Sequence, residues 1–235
     1  MLLSDIFSHL TEGELSQYFF GTGENGQIDP ADYPKIISQI NLGLTNLHTR
    51  LPLKQQEVIV DQQVGNSIYT LHSDFAVSNT GSTEPVKYII DTADEPFEDN
   101  ILVIERVYME DGTKLPLNDA DSAMAVYTPK YNVIQIPFET IGSAVSIIYR
   151  ADHPRIPTDI ADPTTFEVDL SFAYLEPLLY YVGSRITGSF QNQEAVQNSG
   201  FLYSKYEKAL LDIQNSNLLQ NETINNTKLE MRGWV

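Results

Sequence analysis

"VYMEDGTKLPL", residues 107–117, decides the fold class, because it places a β-hairpin in the middle of the chain. Asp111-Gly112 is a dipeptide that favours a two-residue turn with positive φ, and alternating apolar and polar residues flank it on both sides. We therefore expect two antiparallel strands in this stretch, joined by a two-residue turn.

The β character continues on both sides of the hairpin. Between residues 55 and 150, short segments rich in Val, Ile, Tyr and Thr follow one another at close spacing. These segments are EVIVDQ, SIYTLH, VKYII, ILVIERVYME, AVYTPKY, NVIQIPF and AVSIIYR. Their number and spacing predict a compact antiparallel sheet, sandwich or small barrel.

Helical patterns precede this β-rich block. Ser4 is expected to cap a short helix, and Thr11–Glu14 matches the capping box of a second one, with Leu15, Tyr18 and Phe19 on its apolar face. The first helix is expected to bury Ile6, Phe7 and Leu10. Apolar residues that recur every three or four positions then predict a helix over 33–50.

Two further helices are predicted after the block, over about 172–189 and 193–215, behind a proline-rich extended connector. The first has small residues that allow another backbone to approach closely, namely Gly183, Ser184, Thr187 and Gly188. The second is expected to bury one face made of Val196, Leu202, Tyr206, Leu210 and Ile213.

The order of these patterns predicts the fold class. We expect an α+β protein in which the N- and C-terminal helices form one helical layer, with the antiparallel β-rich block inserted between them. The predicted segments are 1–54 for the N-terminal helices, 55–150 for the β-rich insertion, 151–215 for the connector and C-terminal helices, and 216–235 for an extended tail.

The chain is strongly acidic, with 32 Asp and Glu against 14 Lys and Arg, a formal charge of −18 and no cysteine. The absence of cysteine excludes disulfides, thiolate metal sites and cysteine nucleophiles. Because an acidic surface repels phosphates, we expect no adhesive nucleic-acid binding, although DNA can still pass nearby.

The acidic residues are densest in "DTADEPFEDN", residues 91–100, and no Lys or Arg occurs between 88 and 105. The candidate residues are Asp91, Asp94, Glu95, Glu98 and Asp99. Paired carboxylates perform acid–base chemistry when burial separates their pKa values, but this proline-containing stretch is expected to be exposed and ionised. We therefore interpret it as an acidic surface that faces a basic partner or repels DNA.

Gly21, Gly23 and Gly26 match the G-x-G-x-x-G pattern of dinucleotide-binding folds. The context does not fit that function, because a helix rather than a strand is predicted before the pattern. The position twenty residues after Gly26, where such folds have an acid, is Asn46. We interpret the three glycines as an exposed loop between two helices.

No other motif indicates catalysis. The four histidines show no metal-ligand spacing, and there is no nucleophile elbow or phosphate-binding loop. The N-terminal stretch lacks the basic region of a secretory signal, and no apolar run approaches the roughly 18 residues of a membrane span. We expect no enzyme activity, cofactor, metal site or membrane partner.

Four segments resemble the head-to-tail connector, or adaptor, proteins of tailed bacteriophages. They are DYPKIISQINLGLTNLHTRLPLK at 32–54, IIYRADHPRI at 147–156, DLSFAYLEPLLYYVGSRI at 169–186 and KLEMRGWV at 228–235. In the β-rich block the resemblance is only one of composition. It implies a structural virion protein that forms a ring, commonly of twelve subunits, at the portal vertex, joins the DNA-filled head to the tail and continues the DNA channel.

The same resemblance implies the partners and the location. The partners would be the portal protein, the tail or next neck protein, and further copies of this chain. The protein would be made in the host cytoplasm and reside in the virion neck. In a connector, the loop with Gly21, Gly23 and Gly26 would become an assembly loop that is ordered against the portal or an adjacent subunit. The residues implied to dock on a partner are Arg232, Gly233, Trp234 and Val235, with Trp234 as an aromatic anchor, although a C-terminal tryptophan can also fold back onto its own core.

Other functions stay open at this point. One is a different virion or assembly component, such as a tail-completion or collar protein. Another is a β-rich module that binds carbohydrate or protein, which is favoured by the 13 Tyr, 10 Phe and one Trp of the chain.

Overall fold

The structure, a computed structural model, describes residues 1–16, 28–137, 143–190 and 192–216. The predicted assembly loop with Gly21, Gly23 and Gly26 lies outside the described residues. So do Tyr18 and Phe19 of the predicted second helix, and the docking residues at 232–235. The α+β class is confirmed, because helices occupy both ends of the described chain and antiparallel sheets lie between them in sequence.

The helices and strands have the following bounds. The helices are α1 Leu3–Glu12, α2 Tyr33–Arg50, α3 Leu175–Thr187 and α4 Gln193–Asn215, with short 3-10 helices at Pro30–Asp32, Ser73–Phe75 and Phe172–Tyr174. The strands are β1 Gln55–Asp61, β2 Ile68–Thr70, β3 Ile89–Ile90, β4 Ile101–Met109, β5 Lys114–Leu115, β6 Tyr127–Lys130, β7 Val133–Gln135 and β8 Ala144–Ala151.

The chain divides into two compact units. One consists of residues 1–32 and 162–235, and the other of residues 33–161. Helix α2 belongs to the second unit, where it contacts β4 and β8. The division into four segments drawn from the sequence stays a prediction.

The second unit contains two antiparallel sheets. The larger has the strand order β3-β1-β8-β4-β5, and the smaller has the order β2-β7-β6. Strand β8 lies at the centre of the larger sheet, and its buried positions alternate, as expected for a strand with one face in the core: Val145, Ile147, Tyr149 and Ala151.

Buried residues of both sheets form one hydrophobic core. Aromatic rings contribute to it, since the Tyr88 ring stacks on Phe75 at 4.8 Å and meets the edge of Tyr69 at 5.2 Å. The hydroxyl of Tyr88 donates to the carbonyl of Thr70 at 2.8 Å. The β-rich block predicted from composition is therefore a core built between two antiparallel sheets.

The hairpin predicted around Asp111-Gly112 exists between β4 and β5, but its predicted two-residue turn is wrong. Three residues, 110–112, form the loop, and the N–H of Gly112 donates to the carbonyl of Met109 at 2.9 Å. Of these three loop residues only Gly112 has a positive φ, of 84°, and the Asp111 carboxylate accepts the N–H of Thr113 at 2.9 Å. This is the usual three-residue hairpin loop, in which a turn is followed by a glycine with left-handed backbone angles.

In the first unit, small residues of α3 allow close packing. A Cβ added at Gly183 would lie 2.9 Å from the Cβ of Glu14 and 3.2 Å from a methyl carbon of Leu202. One added at Gly188 would lie 2.8 Å from the hydroxyl of Ser199. A close approach exists at both glycines, but the prediction that another backbone makes it is wrong, because the nearest groups from other elements are side chains of the same unit.

Three details of the predicted helices are wrong. Thr11 does not begin a second helix, because it lies inside α1, where its hydroxyl donates to the carbonyls of Phe7 at 3.1 Å and Ser8 at 3.0 Å. Ser4 lies inside α1 and does not cap it, because the helix begins at Leu3 and the Asp5 carboxylate accepts the N–H of Leu2 at 3.1 Å. Val196 is 57% exposed, since the neighbouring Ala195 takes the buried position on that turn of α4. The other four predicted core residues of α4 are buried.

Candidate functional site

The acidic stretch 91–99 forms a loop that leaves the larger sheet after β3. Asp91 fixes the start of this loop, because its carboxylate accepts hydrogen bonds from the N–H of Ser78 at 2.8 Å, from the Ser78 hydroxyl, and from the N–H of Phe97 at 2.9 Å. Asp91 therefore holds the loop against the segment that contains Ser78.

The hydrogen bonds also set the charge of Asp91. Partial burial acts to raise the pKa of this carboxyl, but the bonds from Ser78 and Phe97 outweigh it and hold the pKa below its ordinary value. Asp91 is therefore ionised at neutral pH, as the sequence predicted, although it is only half exposed.

Asp99 fixes the other end of the loop. Its carboxylate accepts the N–H of Ser73 at 2.6 Å and the Ser73 hydroxyl, and its φ of 56° lies in the left-handed region. The Nε2 of His72 lies 3.7 Å from the same carboxylate, and its Nδ1 lies 3.1 Å from Asp74. Two of the five candidate acids thus have structural hydrogen bonds that anchor the loop.

The remaining acids, Asp94, Glu95 and Glu98, are exposed on the loop. Glu98 accepts a hydrogen bond from the side chain of Asn100 at 3.0 Å. Exposed carboxylates on one short loop repel one another, so a cationic group placed among them would relieve that repulsion. Their role as a surface for a partner stays a prediction.

A cleft of about 700 Å³ lies between this loop and β1. It is lined by Gln56, Glu57, Val58, Ile59, Ile90, Asp91, Thr92, Asp94, Glu95, Pro96, Phe97, Glu98 and Tyr149. These lining residues include five carboxylates and no Lys, Arg or His. The charged side chains that line the cleft are therefore all acidic, and several apolar side chains line it with them.

A neutral hydrogen-bond network supports one wall of the cleft. The phenol of Tyr149 lies 3.2 Å from the Gln56 amide oxygen and 3.1 Å from that of Asn100, and the ring of Phe97 lies edge-on to it at 6.2 Å. Burial raises the pKa of Tyr149 above its usual range, and the charges of Glu98 and Asp99 add to this effect. Tyr149 is therefore a protonated donor at neutral pH.

The two buried histidines of the second unit, His48 and His153, have ring nitrogens within hydrogen-bond distance of backbone carbonyls. The ring nitrogens of His153 lie 2.8 Å from the carbonyl of Pro154 and 3.1 Å from that of Asn41, and Nδ1 of His48 lies 3.1 Å from the carbonyl of Ala151. Burial lowers the pKa of His48, which favours its neutral form. These contacts join α2 to the last residue of β8 and to the segment that follows it.

Within residues 1–16, 28–137, 143–190 and 192–216, no group of three or more His, Asp or Glu side chains is arranged to hold a metal ion. In the same part of the chain, none of the helices has the length and apolar character that crossing a bilayer requires. The expected lack of a cofactor and of catalytic activity stays a prediction.

Sequence reasoning missed the residues that build the cleft around the acids. Ser78 lies 13 residues from its partner Asp91, Ser73 lies 26 from Asp99, and Gln56 lies 44 from Asn100. No local spacing rule connects residues at such separations. The acidic run could be found from composition, but the groups that fix two of its members could not.

Comparison of the chain with models of known protein families found no matching family, and a search of curated proteins found no match either. The likeness to phage connectors therefore rests on the four segments quoted from the sequence. The function is accordingly a proposal.

Replacing Asp91 by asparagine is expected to lower the free energy of unfolding by about 1–3 kcal/mol, because an amide NH₂ then faces backbone and hydroxyl donors. Urea denaturation at pH 7 measures this loss. The control is Asp94→Asn, at an exposed position, which is expected to change stability by less than about 0.5 kcal/mol. Equal losses in both variants would show that Asp91 does not anchor the loop.

The loss at Asp91 also has a defined pH dependence. The pKa of Asp91 is lowered in the folded state. Its contribution to the free energy of unfolding is therefore fully present above the ordinary carboxyl pKa, and it disappears as the pH falls through the lower pKa of the folded state. The difference between the original protein and Asp91→Asn is therefore expected to shrink below about pH 4.

Proposed function

We propose that this protein is a structural virion component, a head-to-tail connector that forms a ring at the portal vertex, joins the DNA-filled head to the tail and continues the DNA channel. The observation that carries the proposal is the likeness of four segments to connector proteins. Three of them fall within the described chain, and they contain α2, the end of β8 with the connector behind it, and most of α3.

The arrangement of the fold supports the proposal. Connector-like segments lie on both sides of the antiparallel sheets in sequence, which agrees with a β-rich insertion between helical ends. The C-terminal segment 228–235, which has the fourth likeness, is the part proposed to reach a partner.

The charge also supports it. A formal charge of −18, with Asp94, Glu95 and Glu98 exposed on one loop, gives a surface that repels phosphates. A protein that surrounds moving DNA benefits from such a surface, because adhesive contacts with the backbone would slow its passage.

The proposed partners are the portal protein, the tail or next neck protein, and further copies of this chain in a ring of about twelve. The protein would reside in the virion neck. Arg232, Gly233, Trp234 and Val235 would dock on a partner, and the loop with Gly21, Gly23 and Gly26 would become ordered during assembly.

Electron microscopy of a mixture with portal rings tests the proposal. The protein alone is expected to be monomeric or weakly associated, and the mixture is expected to show an added ring on one face of the portal. The portal protein should come from the same genome, and an unrelated acidic protein of similar size serves as the control. A mixture without an added ring would reject the proposal.

Deleting residues 216–235 is expected to leave a folded protein that no longer docks, because the deletion begins after the buried residues Tyr206, Leu210 and Ile213 of α4. Within the full chain, Trp234→Ala is expected to weaken docking by about thirtyfold, the effect of a typical aromatic hot spot. Thermal unfolding and binding to portal rings measure the two properties. Loss of cooperative unfolding in the deletion would show that the segment belongs to the protein's own core.

A further inference from the structure

Strand β1 has an open edge beyond β3. Strand β8 pairs with β1 along its whole length, from Gln55 to Asp61, whereas β3 pairs only with Ile59 and Val60. The two strands therefore cover the two sides of β1 unequally, and one side is left without a strand partner at residues 55–58.

The direction of the backbone groups on this edge follows from two hydrogen bonds. The carbonyl of Lys54 accepts the N–H of Ala151 on the β8 side, and the N–H of Asp61 donates to Tyr88 on the β3 side. Because successive residues of an antiparallel strand point their N–H and C=O groups to opposite sides, Gln55 and Glu57 point theirs away from β8.

Nothing in the described part of the chain pairs with Gln55 or Glu57 on that side. Both residues are exposed, and the edge is not closed by a proline or a bulge. Such an edge presents unpaired donors and acceptors that accept another strand readily. The acidic loop 91–99 runs opposite this edge, and the cleft of about 700 Å³ lies between the loop and the edge.

The cleft has side-chain features that select among extended chains. Glu57, Asp94, Glu95 and Glu98 line it, and none of its lining residues is basic. Ile59 and Ile90, which are paired across β1 and β3 and partly exposed, add an apolar patch to the lining. An extended peptide with basic side chains and one apolar side chain complements this surface, whereas a nucleic acid or an acidic peptide does not.

We propose that an extended segment of a partner polypeptide, carrying Lys or Arg side chains, adds to β1 as a strand along Gln55–Val58. Its main chain pairs with the outward N–H and C=O groups of Gln55 and Glu57, and its basic side chains lie among the carboxylates of the loop. This mode of recognition takes affinity from main-chain hydrogen bonds and specificity from alternate side chains. The inference goes beyond the proposed function and does not depend on it.

A synthetic peptide tests the inference directly. The probe is a fluorescein-labelled octapeptide of alternating Lys and Val, and fluorescence anisotropy measures its binding to the full chain. A matched peptide with the same charge has N-methyl groups at alternate residues, so that it cannot form strand hydrogen bonds. Binding of the methylated peptide is expected to be weaker by about tenfold or more, because two or three main-chain bonds are lost.

Hydrogen exchange and a point variant locate the binding. The amides of Gln55 and Glu57 are expected to become protected when the Lys-Val peptide binds. Glu57→Pro removes the outward N–H without removing a bond to β8, so it is expected to abolish binding of the Lys-Val peptide. Glu57→Gln keeps the N–H and is expected to lower the affinity for that peptide by about threefold. Should Glu57→Pro fail to fold, the methylated peptide decides the question with the unaltered protein.

Four results would overturn the proposal. They are no binding of the Lys-Val peptide, equal binding of its methylated form, equal binding of a Glu-Val peptide, and binding that appears only after deletion of residues 216–235. The last would place this chain's own C-terminal segment on the edge in place of a partner.

Discussion

Replacing Ile147 by alanine is expected to lower the free energy of unfolding by about 2–5 kcal/mol, the usual loss for a large residue in a packed core. Ile147 is fully buried in the central strand β8, where it lies between Val58 of β1 and Val107 of β4. The cavity left behind is bounded by strands on both sides, which limits how far the surroundings can relax. Urea denaturation at pH 7 measures the loss.

Ile148→Ala is the matched control for this variant. Ile148 is the next residue of β8, lies on the opposite face of the sheet between Glu57 and Arg106, and is only half-buried. Its replacement is expected to cost about 1 kcal/mol or less. A larger loss at Ile148 than at Ile147 would mean that β8 is shifted by one residue, because such a shift exchanges the two faces.

Replacing Gly183 by valine is expected to lower the free energy of unfolding by about 1–3 kcal/mol, because the new side chain has no space in α3. A Cβ at this position already lies 2.9 Å from the Cβ of Glu14 and 3.2 Å from a methyl carbon of Leu202. The nearest atom is close to the backbone of its residue, so it cannot swing aside as the end of a long side chain can. Thermal and urea unfolding measure the effect.

Gly200→Val serves as the control, since a Cβ at Gly200 in α4 has open space around it. There we expect a change within about 0.5 kcal/mol in either direction. Similar losses at both glycines would indicate that valine weakens helices generally in this protein, and that the close packing of α3 is not the cause.

The parts of the fold that were predictable from sequence are those set by neighbouring residues. Helices α2 and α4 begin and end where apolar spacing and capping residues placed them. The lengths of β3 and β6 were not predictable, because a strand continues only as far as a partner strand does. The burial of Ala195 in place of Val196 likewise depends on how α4 is rotated in the folded unit.

The candidate site was predictable to a smaller extent. The acidic run could be identified from composition, and its exposed members are Asp94, Glu95 and Glu98. The cleft could not be identified, because it needs β1 opposite the loop, and the register between these segments exists only after folding. The anchoring of Asp91 and Asp99 depends on Ser78 and Ser73, whose sequence context shows nothing unusual.

The division of the chain into two units has a consequence for folding during synthesis. Residues 33–161 are contiguous, so this unit can close as soon as it leaves the ribosome. Helix α1 is made before this unit, yet the N–H of Leu3 bonds to the carbonyl of Phe166, which is made roughly 10–30 s later at about 5–20 residues per second. Until then, the apolar face of α1 lacks the later residues of its own unit on which it packs. During this interval it is exposed and can bind chaperones.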